Sequence, residues 1–332
     1  MMRKKIVVFM VLLVLAVGVT GCAQNTAAKN AESAGKISIV TTIFPVYDFA
    51  RAIAGGQAEL TMLVKPAAEV HSYDPSPADI IKIQEADVFI YIGGENDAWV
   101  STILESMDTS NKKIIRLMDA VKPVEEETVE GMEAEEEEVA PETTQNKTEP
   151  AEEEIEYDEH IWTSPKNAIL MVNEIAAALA EIDPQNAAVY TQNAADYTAQ
   201  IQAVDDEIAG IVAAAPNKLL VFGDRFPFRY FVDEFGLDYK AAFPGCSTDT
   251  EASAGTLAYL MNTIKENNIK YVYYIELSNQ NIAKAISEQT GAGLLQLHSV
   301  HNVTKDDFDA GATYVSIMQQ NVENLRKGLA NK

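Results

Sequence analysis

Ile37-Ser38-Ile39-Val40-Thr41-Thr42, followed by Pro45 and the stretch Val46 to Ala54, sets the architecture of this chain. The first six residues are short, β-branched and apolar, which is strand composition, and Pro45 ends the strand beside a helical stretch. The alternation continues downstream. Glu59 to Val64 reads as a second strand and Ala78 to Glu85 as a helix. Val88 to Ile92 is a third strand, almost wholly apolar, before the turn Gly93-Gly94. Ala98 to Ser106 is again helical, and Lys113 to Leu117 is a fourth strand. Strands that alternate with helices predict a parallel sheet covered by helices, the α/β class.

Further along, Ser164-Pro165 has the form of a helix start, with Ser as N-cap and Pro at the first helical position, and the helix extends to Ala180. After Asp183-Pro184 a longer helix runs from Asn186 to Ala214. Its apolar and aromatic residues Val189, Tyr190, Ala194, Tyr197, Ile201, Val204 and Ile208 recur at three- and four-residue spacing. Such a helix is on the order of 40 Å long and spans a molecule of this size. Alternation then resumes with strand Leu219 to Phe222, helices Pro227 to Phe235 and Ser253 to Asn267, and strand Tyr271 to Ile275. A helix from Gln280 to Thr290, strand Leu294 to Leu297 and a final helix from Ala310 to Leu329 complete the chain. The expected architecture is two α/β lobes, residues 36–182 and 216–332, joined by one long backbone helix over 184–214.

One stretch breaks the pattern. Glu125 to Glu159 is dominated by Glu, with Pro141 and Pro150 and almost no large apolar residue. It lacks the apolar surface to offset its ordering entropy, so a disordered acidic insert is expected over about 125–157. The rest of the chain, 47% apolar with thirteen Tyr and eleven Phe, has ample core material.

The N-terminus assigns the compartment. Arg3, Lys4 and Lys5 precede an apolar run from Ile6 to Val17, which ends in Val19-Thr20-Gly21-Cys22. That is an export signal, expected over 1–21. Cys directly after Thr-Gly resembles a bacterial lipobox, in which Cys22 becomes the lipidated first residue of the mature protein. Residues 22–35 are small and polar, as a tether should be. The expected location is therefore the extracytoplasmic face of the cell membrane, held by a lipid on Cys22. The only other cysteine is Cys246, so no intrachain disulfide is expected. Loss of Arg3, Lys4 and Lys5 with the signal takes the formal charge from −25 to −28, which excludes nucleic acid as a partner.

Four histidines occur in the chain, His71, His160, His298 and His301, all in loops after strands or near helix starts, where α/β folds place ligands. His71 lies in Val70-His71-Ser72-Tyr73-Asp74-Pro75-Ser76-Pro77-Ala78-Asp79. His160 lies in Asp158-Glu159-His160-Ile161-Trp162-Thr163-Ser164-Pro165-Lys166-Asn167-Ala168. These resemble the two histidine loops of the metal-binding substrate-binding proteins of ABC importers, the group that carries zinc and manganese. The resemblance covers nearly all of Lys36 to Leu329. It implies a metal site in the cleft between two lobes, with His71 and His160 as ligands from the N-terminal lobe. It also implies an ABC permease and its ATPase as partners, a monomeric receptor, and a cargo ion rather than a catalytic one. Neutral imidazole suits zinc, and two loops at strand ends can hold two nitrogens about 2 Å from one ion.

In the C-terminal lobe the chain departs from the family pattern. Where the family has His or Glu before Phe-x-Tyr-Phe, this chain has Asp224-Arg225. Arg225 cannot bind a cation; Asp224, one residue earlier, can, or it pairs with an arginine. After the last strand, where the family offers Asp, the chain reads Leu297-His298-Ser299-Val300-His301-Asn302, so either His298 or His301 is a candidate replacement. Glu276, ending the strand Tyr273-Tyr274-Ile275, is a further candidate oxygen. Asp74, Asp79, Asp158 and Glu159 are candidate partners that orient the imidazoles, or are solvated or capping residues. Cys246, in Phe243-Pro244-Gly245-Cys246-Ser247, reads as a packed cysteine, with thiolate ligation as the alternative. Three imidazoles and one carboxylate favour zinc; manganese is the alternative. An extracellular zinc metalloenzyme is the competing class, but neither His-Glu-x-x-His nor Gly-x-Ser-x-Gly occurs.

Overall fold

The structure is a computed structural model that describes residues 35–133, 156–247 and 251–330. The expected signal, Cys22, nearly all of the tether and the middle of the acidic insert lie outside the described residues.

The N-terminal lobe is built from β1 (Ile37–Thr41), α1 (Phe44–Ala54), β2 (Ala58–Met62), α2 (Pro77–Glu85), β3 (Val88–Tyr91), α3 (Trp99–Glu105) and β4 (Lys113–Arg116). Its strands form one parallel sheet in the order β2-β1-β3-β4, with Ile39 opposite Leu60 on one side and Val88 on the other. Such a sheet needs a helix in every crossover, which is what the alternating sequence provides. Two helices then leave the lobe, α4 (Pro165–Ile182) and α5 (Ala187–Ala214). With 28 residues α5 is about 42 Å long. It buries Tyr190, Ala194, Tyr197, Ile201, Val204 and Ile208 along one face, the stripe read from the sequence apart from Val189, which is exposed.

The C-terminal lobe contains β5 (Leu219–Val221), α6 (Arg229–Phe235), β6 (Asp238–Lys240), α7 (Ala254–Glu266), β7 (Tyr271–Tyr274), α8 (Asn281–Thr290) and β8 (Gly293–Gln296). The pairs β5-β6 and β7-β8 are parallel, and a parallel bridge between Phe222 and Tyr273 joins them in the order β6-β5-β7-β8. Two α/β lobes connected by one long helix is thus the observed fold. One continuous core runs from β1 and α1 through α4 and α5 to the C-terminal helix over 314–329.

Three local differences from the sequence reading have simple causes. β6 was not expected, because three residues, Asp238-Tyr239-Lys240, give no pattern to read. The final helix is two helices, α9 (Lys305–Asp309) and α10 (Tyr314–Leu329). Gly311, at φ +80°, separates them, and Thr304 and Thr313 each cap a start. The acidic insert is ordered at its edges. Glu125 bridges Tyr157, and Glu133 N–H donates to Ala242 O at 3.0 Å. Val129 and Met132 pack against the core. The composition of the insert hides these anchors because two apolar residues among many glutamates leave no periodicity.

At the centre of the molecule the buried carboxylate of Asp48 on α1 ties three segments together. It accepts Tyr197 Oη–H from α5 at 2.5 Å, the Tyr314 N–H at the start of α10 at 2.7 Å, and Arg51 at 2.5 Å. A buried carboxylate with several donors is satisfied, and its loss would leave those donors without partners.

Candidate metal centre

Each histidine loop is fixed by the element that follows it. Ser76 caps α2 through a reciprocal pair with Asp79, which stops the His71 loop at a defined point. Ser164 caps α4 by accepting the Asn167 N–H, and the single turn Ile161–Thr163 between it and His160 is fully packed. Within that turn Trp162 Nε1–H donates to Ser299 O at 2.8 Å, so the His160 loop is bonded to the loop that carries His301. The His71 loop is bonded there as well: Ala67 N–H donates to Val303 O at 2.8 Å, and Asn302 Nδ2 donates to the carbonyls of Lys65 and Ala68.

These ties bring three imidazoles together. The His71 and His160 ring centroids are 5.9 Å apart, and the His301 ring stands edge-on to both, at 4.9 and 5.2 Å. His71 Nδ1 meets the Glu69 carboxylate at 2.9 Å, and His160 Nδ1 meets Asp158 Oδ1 at 3.2 Å. A carboxylate on Nδ1 favours the proton there and leaves Nε2 with its lone pair, although at His71 the Arg225 guanidinium, 3.1 Å from the same nitrogen, works the other way. Both Nε2 atoms are buried without a hydrogen-bond partner among the described residues. Buried polar atoms are otherwise almost always paired, so two orphaned lone pairs in one cluster mark a ligand position.

The electrostatics are graded across the three rings. Burial disfavours the charged form of His71 and lowers its pKa, although the Glu69 carboxylate works the other way. His160 is fully buried, which opposes its charge, yet the Asp158 carboxylate, helped by Glu159 and Glu126, moves its pKa up. His301 is pushed well down by burial and then by His71, His160 and Arg225. A neutral His301 is therefore available as a donor at physiological pH.

Beside the imidazoles stand Glu159 and Cys246. One ligand atom from each of His71, Glu159, His160 and Cys246 lies within 4.8 Å of every other. The Glu159 carboxylate accepts Asn96 N–H at 3.0 Å and Asn96 Nδ2, and it packs so tightly on Gly94 that a Cβ there would stand 2.3 Å from Oε2. Gly245 plays the same part for His160: a Cβ would stand 3.1 Å from Cε1, so the bare backbone lets the Pro-Gly-Cys turn close on the ring. Burial and the carboxylates of Glu159 and Glu126 push the Cys246 thiol up from its ordinary range.

The remaining sequence candidates are placed otherwise. His298 Nδ1 accepts Val300 N–H at 2.9 Å, and its ring is not among the three that meet. The Glu276 carboxylate accepts Ser299 N–H, Ser299 Oγ–H and His301 N–H, so it shapes the loop that presents His301. Asp224 accepts the N–H groups of Arg225 and Ile275, and burial moves its pKa up. Asp74 and Asp79 are not in the cluster; Asp79 serves the α2 cap. The Arg225 guanidinium lies 3.1 Å from His71 Nδ1, 3.6 Å from Glu69 and 3.2 Å from Ser247 O. Cys246 reads from the sequence as a packed cysteine, with thiolate ligation as the alternative; the structure sets its sulfur beside His71, Glu159 and His160.

Residues 39–328 match the family described as zinc-uptake complex component A, periplasmic. The chain belongs to this family. Among relatives in the zinc-uptake family, the zinc-binding lipoprotein AdcA of Streptococcus pneumoniae is 32% identical over 296 residues, 88% of this chain and 56% of that protein. The zinc-binding protein AdcA of Streptococcus pyogenes is 30% identical over 325 residues. The chain spans only 61% of that protein's length. The high-affinity zinc uptake system protein ZnuA of Bacillus subtilis is 29% identical, with 95% of this chain and 94% of that one covered. The Zn(II)-bound ZnuA-like domain of Streptococcus pneumoniae AdcA has the same fold, with a TM-score of 0.72 at 30% identity over 90% of this chain and all of that one.

Proposed function

We propose that this member of the zinc-uptake family captures zinc outside the cytoplasm and delivers it to the permease of an ABC transporter driven by its ATPase. The observation that carries the reading is the pair of buried, unpartnered Nε2 atoms of His71 and His160, on rings 5.9 Å apart in one cluster with Glu159 and Cys246. His301 is the third imidazole of the cluster, its ring edge-on to both of the others. Neutral imidazoles prefer zinc to manganese in the general order of divalent affinities. The relatives named for zinc support the same choice. The protein acts as a receptor and not as an enzyme, a monomer tethered to the membrane by a lipid on Cys22. Support for the anchor comes from the export signal ending in Thr20-Gly21-Cys22 and from the AdcA relative named a lipoprotein.

Competition against a zinc-chelating dye tests the site. His71→Ala and His160→Ala should each weaken zinc binding by at least about a hundredfold, the upper range for loss of a metal-orienting group. The far-ultraviolet circular dichroism should stay that of the folded protein. Wild-type affinity in either variant removes that residue from the site. Manganese bound more tightly than zinc by the wild type would replace the cargo.

A further inference from the structure

We infer that Cys246 is a zinc ligand, supplying a thiolate from the C-terminal lobe that sets this receptor's preference for zinc over manganese. The inference rests on the zinc-receptor reading and adds to it the fourth position. His71, His160 and Glu159 stand with Cys246 in one group whose ligand atoms lie within 4.8 Å of one another, and without the sulfur a tetrahedral ion there is one ligand short. The carboxylates expected to supply it from the C-terminal lobe are engaged elsewhere: Asp224 by the backbone of Arg225 and Ile275, Glu276 by Ser299 and His301. Arg225 stands where the family pattern has a ligand and offers only N–H donors.

Cys246 is in reach. Its Sγ is within 4.8 Å of ligand atoms of both His71 and His160. Ligands of a tetrahedral zinc stand about 3.5 Å apart, from Zn–N of about 2.0 Å and Zn–S of about 2.3 Å, so the cluster needs to contract by roughly 1 Å. An independent observation points to the same space: His160 is fully buried, and its Nε2 has no partner among the described residues. Gly245 is what allows the approach, since a side chain at that position would press on the His160 ring. Arg225 donates to Ser247 O, next to Cys246, and so helps to hold the turn against the site. In the described residues the sulfur has only a 3.9 Å contact with Glu159, too long to fix it. A soft thiolate raises the affinity for zinc while manganese, which prefers oxygen ligands, gains little.

Two measurements on the full chain in detergent test this. Zinc X-ray absorption of the wild type should show one sulfur neighbour at about 2.3 Å beside nitrogen neighbours at about 2.0 Å. Cobalt loading should give a sulfur-to-cobalt charge-transfer band that disappears in Cys246→Ser while the visible ligand-field bands persist. The same variant should lose at least about tenfold in zinc affinity and change in manganese affinity by less than about threefold. Zinc bound with nitrogen and oxygen neighbours only, or a charge-transfer band that survives in the variant, overturns the thiolate and leaves the receptor reading standing. Failure of the wild type to bind zinc or cobalt overturns both.

Discussion

His298 Nδ1 accepts the backbone N–H of Val300 at 2.9 Å, and Val300 holds a φ of +64°. A β-branched residue in the left-handed region is strained by about 1–3 kcal/mol and persists only where its surroundings enforce it. Here the enforcement is visible. His298 takes the N–H of Val300, Glu276 takes those of Ser299 and His301, and Asn321 clamps the N–H and carbonyl of His298. The reversal of the chain at Val300 is what carries the His301 ring onto His71 and His160.

The two histidines of this loop therefore have different expected phenotypes. His298→Ala removes one hydrogen bond from the turn, a loss of about 1 kcal/mol in stability, with zinc affinity lowered less than tenfold. His301→Ala removes an imidazole from the cluster and should lower zinc affinity by at least about tenfold, or roughly 1.4 kcal/mol. Melting curves beside dye competition separate the two. A His298→Ala loss in affinity equal to that of His301→Ala would place His298 at the ion.

A second prediction concerns pH and lies away from the ion. Glu234 on α6 faces Asp205 on α5; Lys166 Nζ lies 3.6 Å from Glu234 Oε1, and neither that oxygen nor Asp205 Oδ1 receives a hydrogen bond from the described residues. Burial first, and then the Asp205 carboxyl, raise the Glu234 carboxyl to about 7 from an ordinary 4.5, although Ser164 donates to it. Between those values the folded chain keeps a proton that the unfolded chain has released. Stability contributed by this group is thus present at low pH and falls as pH rises toward 7. Glu234→Gln stays neutral and can donate its amide to Asp205. Its melting temperature should exceed the wild type's by about 2–4 °C at pH 8, with the difference vanishing near pH 4. A difference that is the same at both pH values would mean the carboxyl is not held neutral.

The acidic insert yields a third expectation, opposite for its two parts. Replacing residues 125–133 by Gly and Ser keeps the backbone bridge to Tyr157 and the Glu133 N–H bond to Ala242, but removes the packing of Val129 and Met132 and the Glu133 carboxylate that accepts Ser253 N–H. The melting temperature should fall by about 2–4 °C or more. The same replacement over 134–153, where the sequence offers glutamates and little to bury, should change it by less than about 1 °C. Equal effects would show that composition alone governs the whole insert.

Much of this molecule is legible in its sequence because the relevant signals are local. The cap Ser164, followed by Pro165, marks a helix start within a residue, and the stripe from Tyr190 to Ile208 marks the buried face of α5. His71 and His160 are legible because each sits in a loop whose flanking residues are distinctive. The C-terminal half of the site is less so. Whether His298 or His301 turns inward depends on the sign of φ at Val300, which no residue preference predicts for a valine. Whether Glu276 and Asp224 are free depends on which backbone N–H groups fold onto them. The approach of Cys246 depends on how two lobes meet across Gly245, a contact between residues far apart in the chain.

The last prediction compares the two carboxylates behind the imidazoles. Glu69 and Asp158 both contact Nδ1 of their histidine, and both fix the tautomer that leaves Nε2 for the ion. Distance favours Glu69, at 2.9 Å against 3.2 Å. Environment favours Asp158: its side chain is 2% exposed, whereas that of Glu69 is 50% exposed and shares its charge with Arg225 at 3.6 Å. A buried charge is screened far less than an exposed one, and in the interior the same separation gives several times the interaction. Environment should therefore win. Asparagine and glutamine keep an acceptor for the Nδ1 proton and remove only the charge, so each substitution reads the electrostatic part alone. Asp158→Asn should lower zinc affinity toward the upper end of about 10–100-fold, and Glu69→Gln by about tenfold or less. His160 also loses the charge that held its pKa up, so the Asp158→Asn affinity should vary less with pH on the acid side than that of the wild type. Dye competition at two pH values measures both effects; a larger loss from Glu69→Gln would mean that the shorter contact, and not the drier one, controls the ligand.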